Sequence, residues 1–340
     1  MTFSQPGVGT CATEVAYKRG YGNPPELREV IARAHITRLW WTIAIAVFDH
    51  LTVPVLILAA TSTVVRNAGW LALAAAVVVA ALAAARQLRA LECLVHEASH
   101  FNWSRRYRKL GDVLATLLAG VPTGARIADY RASHLVHHGR FGTLSDPDRQ
   151  RYEELGLEDL NRSGTAAFVL GLLQKFGPYQ GGWLATLGSA PVAAALPLSW
   201  CALVIVLPGW LMEGWVWAGV AGLAWLVTHL VALPILRFVG ESSEHVYREV
   251  DTVFAATVSN LGLLQRTLIH PHGDGYHTIH HLWPGVPHHQ LARLHRILLA
   301  QNAEYRSNLR YRTRVLERPR TGWAKSEARS DARIETGRAA

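Results

Sequence analysis

The chain has 340 residues, of which 50% are hydrophobic and only 17% are charged, and its net charge is +9. A soluble domain typically has about 25% charged residues, so this composition argues against an ordinary soluble protein. It also argues against a soluble nucleic-acid binder, which needs a basic surface without membrane spans, and no nucleic-acid partner is predicted.

Residues 1–38 are polar and contain no cleavable apolar core of a signal peptide. We therefore predict a cytoplasmic N-terminal segment at 1–38, followed by a membrane domain at 39–300. Four apolar stretches in this domain approach the roughly 20 residues needed to cross a bilayer. The predicted spans are about residues 40–62, 69–90, 188–209 and 215–236.

The basic residues predict the orientation of these spans. The connections after the first and third spans contain only Arg66 between them, whereas every other Lys or Arg lies in the N-terminal segment, the middle loop or the C-terminal region. By the positive-inside rule, those three regions face the cytoplasm. We therefore predict an integral protein of a bacterial-type inner membrane, with both termini and the active site on the cytoplasmic side.

Two segments outside the spans have distinctive compositions. The second and third spans are separated by a large polar loop, about residues 86–182, broken by one apolar stretch at Leu110–Pro122. That stretch is too short to span, so it fits either a re-entrant or interfacial helix or a helix packed in a cytoplasmic cap. Residues 301–340 are basic and are predicted to form a disordered tail, with contact to anionic lipid headgroups as the alternative.

The seventeen histidines of the chain include three groups with helical spacing. The letters HEASH place two histidines four residues apart, and SHLVHH and YHTIHH each place three histidines at i, i+3 and i+4. At this spacing the imidazoles of each group share one face of a helix. An even number of spans separates the groups, so all eight emerge on one side of the membrane. These candidate metal ligands are His96, His100, His134, His137, His138, His277, His280 and His281.

Eight imidazoles exceed what one catalytic zinc ion uses, because such an ion takes three protein ligands and keeps one position open. Two metal ions are therefore indicated. Imidazole suits iron, copper, nickel and zinc alike, but an imidazole-rich two-metal site without paired carboxylates favours oxygen chemistry by iron. The letters HEASH also match the zinc-protease pattern H-E-x-x-H, in which Glu97 would be the general base. A membrane zinc protease is a remote alternative, since it leaves both triplets unexplained.

The three histidine groups resemble, in order and spacing, those of the membrane fatty-acid desaturase and hydroxylase superfamily. The likeness runs from about Trp40 to His295, and its closest stretch is YHTIHHLWPGVPHHQLARLH. The resemblance implies an all-α integral membrane fold, in which four transmembrane helices support a cytoplasmic helical cap holding a di-iron site. It also implies a ninth metal ligand soon after the last span, where RFVGESSEHVY supplies His245.

Four carboxylates near these histidines are candidates for orienting the ligands. Glu97 is expected to hydrogen-bond a neighbouring imidazole. Glu241 is expected to orient His245 or a metal-bound water, with a surface ion pair to Arg237 or Arg248 as the alternative. The other two candidates are Glu244 and Asp146.

The resemblance implies an O2-dependent oxidoreductase that uses two iron ions to remove hydrogen from an unactivated C–H bond. The favoured function is a desaturase of a fatty-acyl or lipid chain. A hydroxylase of a fatty, terpenoid or specialised-metabolite substrate is the main alternative, and a non-catalytic scaffold that keeps metal is a third. Because the sequence shows no haem-ligand domain or cysteine cluster, electrons are expected from a separate carrier such as a ferredoxin. Basic residues beside HEASH, including Arg105 and Arg106, have two explanations. They could dock an acidic ferredoxin, but the favoured explanation is that they only anchor the spans by the positive-inside rule.

Overall fold

The computed structural model describes residues 21–161, 164–248 and 251–323, and this part of the chain is almost entirely helical. Four helical stretches are long and apolar enough to cross a membrane. The prediction of an all-α membrane protein with four spans is therefore confirmed. The spans are Leu39–Asn67, Trp70–Ser99, Pro191–Glu213 and Trp215–Glu241.

The first two spans form a hairpin after a short helix, α1 (Arg28–Ala34). Helix α2 (Leu39–Ala60) is followed by the short α3 (Thr63–Asn67) and then by α4 (Trp70–Ser99). Gly69 makes the turn before α4 with a φ of +102°, which side chains with a Cβ rarely adopt. The buried side of α4 is rich in alanine, and small residues let α2 pack closely against it.

The region between the second and third spans is helical rather than a polar loop. Its helices are α5 (Arg108–Ala115), α6 (Val121–Thr123), α7 (Ile127–Gly139), α8 (Pro147–Leu155) and α9 (Thr165–Ser189). The 25-residue α9 escaped sequence analysis because Gly177, Pro178, Gly181 and Gly182 interrupt its apolar pattern.

The apolar segment Leu110–Pro122 packs against the first two spans. Ala115 and Ala119 on its inner face are fully buried, whereas large apolar side chains on its outer face are exposed. The carbonyl oxygen of Leu118 lies 2.8 Å from Nδ1 of His50, in the middle of α2. This position at membrane depth favours a re-entrant or interfacial helix over one packed inside the cap.

The third and fourth spans form a second hairpin, and each is interrupted by a π-helical turn. The third contains α10 (Pro191–Cys201) and α11 (Leu207–Glu213), and the fourth contains α12 (Trp215–Val227) and α13 (Leu233–Glu241). Arg66, beside the turn of the first hairpin, pairs with Glu213, beside the turn of the second. This ion pair links the two hairpins at one end.

The C-terminal region contains short helices and a small three-stranded sheet. Its elements are α14 (Val253–Ala256), β1 (Ser259–Asn260), α15 (His277–Leu282), α16 (His288–Gln301), α17 (Ala303–Asn308), β2 (Arg310–Arg312) and β3 (Arg320–Thr321). Strand β2 pairs in parallel with β1 and antiparallel with β3.

The start of the predicted disordered tail is ordered in the structure. Tyr305, Leu309 and Tyr311 are buried in the same core as α15 and α16. The many arginines of this segment give it the composition of a disordered tail, although these three apolar side chains are buried. Residues 324–340 of the predicted tail lie outside the described residues.

Candidate metal centre

Nine histidines meet in two adjacent clusters, and they are the nine that the sequence analysis singled out as candidate ligands. The five-histidine cluster contains His96, His100, His134, His138 and His280, whose ligand atoms all lie within 4.8 Å of one another. The four-histidine cluster contains His137, His245, His277 and His281.

In the five-histidine cluster the Nε2 atoms converge. Nε2 of His134 lies 2.9 Å from Nε2 of His96, 2.9 Å from that of His100 and 3.1 Å from that of His138. Nε2 of His138 is in turn 2.9 Å from that of His280. Nitrogens bound about 2.0–2.1 Å from one metal ion are roughly 3 Å apart, so this set fits a shared ion.

The four-histidine cluster has the same character. Nε2 of His245 lies 2.8 Å from Nε2 of His277 and 3.1 Å from that of His281, which is 3.4 Å from that of His137. All four side chains are buried. This second set therefore fits a second ion.

Helices α7 and α15 each supply both clusters. Successive residues on an α-helix point about 100° apart, so the two imidazoles of an HH pair diverge. His137 and His281 join the four-histidine cluster, whereas their neighbours His138 and His280 join the five-histidine cluster. The spacing predicts that each triplet shares one helical face, whereas in the structure each triplet is divided between the two clusters.

His245 comes from an isolated position after the last span. It lies in the turn that follows α13, and its backbone forms a β-bridge with Thr257. The Tyr247 ring stacks on its imidazole with centroids 5.2 Å apart, and Phe141 lies on another side at 5.3 Å. These aromatic contacts hold the ring beside the other three imidazoles.

Burial lowers the pKa of most histidines in the clusters. It lowers the pKa of His277 to about 4 and that of His134 well below the usual range. These imidazoles are therefore neutral near pH 7, the form that binds metal. For His137 burial acts in the same direction, but the carboxylates of Asp148 and Asp146 outweigh it and raise the pKa.

Asp146 occupies the position expected of an orienting carboxylate. Its Oδ1 accepts from Nδ1 of His137 at 2.9 Å and from the backbone N–H of Asp148 at 2.9 Å, so it also caps α8. Its Oδ2 accepts from the backbone N–H of Gly142 at 2.8 Å. With Nδ1 of His137 held by Asp146, Nε2 is directed into the four-histidine cluster.

Glu97 and Glu241 lie elsewhere than expected. Oε2 of Glu97 accepts from the backbone N–H of His288 at 2.7 Å, at the start of α16, rather than from an imidazole of a cluster. A carboxylate is favourable there because of the helix dipole. Glu241 pairs with Arg151 at 3.3 Å, and not with His245 or with either arginine that the sequence analysis offered.

Sequence analysis missed Asp274, which lies behind the five-histidine cluster. Its carboxylate is 2.9 Å from Arg89, 3.2 Å from Nδ1 of His270 and 3.4 Å from Nδ1 of His96. Nδ1 of His270 is also 3.1 Å from Oε1 of Glu244. His270 therefore joins the carboxylates of Asp274 and Glu244 in one buried network. In the sequence, the only signal for Asp274 is its position three residues before His277.

A cavity of about 460 Å³ lies beside both clusters. Histidines of each cluster form one side, including His96 and His245. Trp183, Leu187 and Ala190, at the junction of α9 and α10, form an apolar side. The cavity therefore has imidazoles of both clusters and apolar side chains from α9 and α10 in its lining.

The fold and the clusters define an integral membrane protein with two candidate metal sites. The fatty acid desaturase family model matches residues 68–314, and the chain belongs to this family. The match includes all nine histidines and confirms the resemblance seen in the sequence. Comparison with curated proteins finds no match.

Proposed function

We propose that this protein is an O2-dependent di-iron desaturase that introduces a double bond into a fatty-acyl or other lipid chain. The observation that supports it best is the convergence of nine imidazoles into two sets with metal-sharing spacing, beside a cavity with an apolar side. Membership of the fatty acid desaturase family supports the same function.

The residues fit a pair of iron ions. Both sets are dominated by imidazole nitrogens, which suit iron. When bound, the two ions would supply the activation of O2 and the removal of hydrogen from an unactivated C–H bond. The chain itself orients the imidazoles through Asp146 and Asp274, excludes water by burial, and holds the substrate in the cavity.

The reaction needs an external source of electrons. Desaturation removes two hydrogens from the substrate, and O2 takes up these hydrogens with two further electrons and two protons to give two waters. We propose that a separate carrier such as a ferredoxin delivers the electrons from the cytoplasmic side. Arg106, Arg108 and Lys109 are exposed beside the first histidine group and suit an acidic carrier, whereas Arg105 donates to the carbonyl of Gly285.

A hydroxylase is the second candidate, because oxygen insertion would use the same site. The observation that favours it is the polar character of the cavity close to the histidines, where Glu92, Arg237 and Glu241 contribute to the lining. The remote zinc-protease alternative has less support, since Oε2 of Glu97 is engaged by the His288 backbone.

Mass spectrometry of lipids tests the proposal. The lipids of three cultures of the same host are compared, which express the wild type, His137→Ala and His289→Ala. His289→Ala is the control, because His289 lies outside both clusters. A product about two mass units lighter than its substrate, formed by the wild type and His289→Ala but not by His137→Ala, supports a desaturase. A product about sixteen mass units heavier than its substrate, with the same dependence, supports a hydroxylase. If no product depends on His137, neither oxidation is the function.

A further inference from the structure

Helix α9 (Thr165–Ser189) differs from the helix before it in its lack of charge. Lys175 is the only charged residue among its 25 residues, whereas α8 has five charged residues among nine. Even this one charge is directed toward the protein, because Nζ of Lys175 lies beside Gly156, where α8 ends. A helix at the surface of a soluble protein has charged and polar residues on its outer face, so α9 is poorly suited to water.

One face of α9 packs against the protein. Phe168, Leu172 and Tyr179 are buried there, in a cluster that includes Phe238 of α13. The rings of Tyr179 and Phe238 lie with their centroids 4.6 Å apart. This face therefore has its partner within the chain.

A second face of α9 is apolar and exposed. Its large side chains are Val169, Leu170, Leu173 and Leu184, which are 38% to 67% exposed. Because successive residues on an α-helix are about 100° apart, these four lie within an arc of roughly 100°. A contiguous apolar patch of this kind marks contact with another molecule.

Contacts with the fourth span place this helix at membrane depth. Nε2 of Gln180 donates to the carbonyl oxygen of Leu230 at 2.7 Å. The Trp183 ring lies near the His229 ring, with centroids 5.8 Å apart. Leu230 comes 15 residues after Trp215, where the span begins, which is about 22 Å along a helix. The hydrocarbon core of a bilayer is about 30 Å thick, so these contacts fall within it.

The exposed face is also close to the third span along the chain. Helix α9 ends at Ser189, and the third span begins at Pro191. Lipid surrounds the spans that α9 adjoins, so an acyl chain is the molecule best placed to cover the apolar patch.

We propose that α9 is a membrane-embedded helix that does not cross the bilayer, and that its apolar outer face contacts the acyl chains of the leaflet on the side of the histidine clusters. Trp183 and Leu187 of the same helix line the cavity, so one helix separates the apolar side of the cavity from the bilayer. This inference concerns the membrane surface of the protein and does not depend on the proposed function.

Spin labels at single cysteines test the inference in the full-length protein, reconstituted into phosphatidylcholine bilayers. Cys11→Ser removes one native cysteine, and the other two, Cys93 and Cys201, are buried and should not react. Labels at Leu173→Cys and Leu170→Cys report on the outer face of α9. Power saturation of the EPR signal measures how often each label collides with O2, which concentrates in lipid, or with a water-soluble nickel complex, which lipid excludes.

Two exposed positions give the matched references. Val78→Cys on α4 is exposed within the second span, and Glu154→Cys lies on the charged surface of α8. We expect both α9 labels to match the Val78 label, with frequent O2 collisions and nearly complete loss of the nickel collisions seen at Glu154. Because both changed leucines are exposed, either variant reports the result if the other does not fold.

Two other results would overturn the inference. Nickel collisions as frequent as those at Glu154 would place the outer face of α9 in water. Rare collisions with both reagents would show that protein covers this face, for example a second copy of the chain.

Discussion

The two histidine clusters differ in how the chain builds them. The five-histidine cluster is assembled entirely from histidines that recur at helical spacing on α4, α7 and α15. The four-histidine cluster depends on His245, a single residue in a turn, and on His137, which Asp146 holds from the start of α8. Local periodicity is therefore sufficient to recognise the first cluster, whereas the second also depends on contacts between distant segments.

The largest expected effect comes from removing His245. His245→Ala leaves three imidazoles in its cluster, whereas His100→Ala leaves four in the other. Loss of a residue that merely orients a ligand weakens metal binding by about 10- to 100-fold. Because His245 is itself a candidate ligand, we expect His245→Ala to weaken iron binding at its cluster by more than about 100-fold and to abolish turnover. Iron per protein and product yield measure this, and a greater iron loss in His100→Ala would contradict the comparison.

The orienting carboxylates should act on one cluster each. Asp146→Asn should weaken iron binding at the four-histidine cluster by about 10- to 100-fold, and Asp274→Asn should do the same at the five-histidine cluster. Asparagine is also a good N-cap, so the first substitution spares α8. Titration with ⁵⁷Fe followed by Mössbauer spectroscopy resolves the two sites. Asp159→Asn, in an exposed ion pair, is the control, and equal loss at both sites would show that the carboxylates do not act separately.

Glu97 should matter for stability and not for metal binding. Glu97→Gln replaces a charge-assisted hydrogen bond to the His288 backbone with a neutral one, at an expected cost of about 1 kcal/mol in the free energy of unfolding. Denaturant unfolding in detergent and iron content measure the two effects. Loss of activity with iron intact would instead make Glu97 a participant in the chemistry and favour the protease alternative.

The smallest effect concerns electron delivery. Reversing the exposed charges in Arg106→Glu with Lys109→Glu should slow turnover roughly tenfold when the carrier is limiting and at low salt, because steering is lost. Saturating carrier should restore the rate, since neither cluster is altered. Arg293→Glu with Arg296→Glu, two exposed positions on α16, is the charge-matched control. An unchanged rate with limiting carrier would remove these residues from the docking surface.

The spans and eight candidate ligands are predictable from the sequence because both depend on local patterns. Four apolar stretches and the i, i+3, i+4 spacing need no knowledge of tertiary contacts. His245 has no such pattern around it and was assigned only through the family resemblance. Asp274 could not be assigned, because its role arises from its distances to Arg89, His96 and His270 across three segments.

The errors have a common physical origin. Glu97 is next to His96 in sequence, but successive side chains on a helix point about 100° apart, so the carboxylate of Glu97 points toward α16. Glu241 lies on the same helix as Arg237, yet it pairs with Arg151 of α8. Neighbours along the chain compete with partners brought close by folding, and both carboxylates pair with donors from other segments.

The sharing of α7 and α15 between the two clusters makes the sites inseparable in evolution and in engineering. One residue inserted in α7 before His134 would rotate every later imidazole of the helix by about 100° and displace candidate ligands of both sites at once. A change in the length of α7 therefore cannot alter one site without altering the other. Within α7, only point substitutions can alter one site and preserve the other, so a change in the length of this helix should be tolerated far less well than a substitution at one of its histidines.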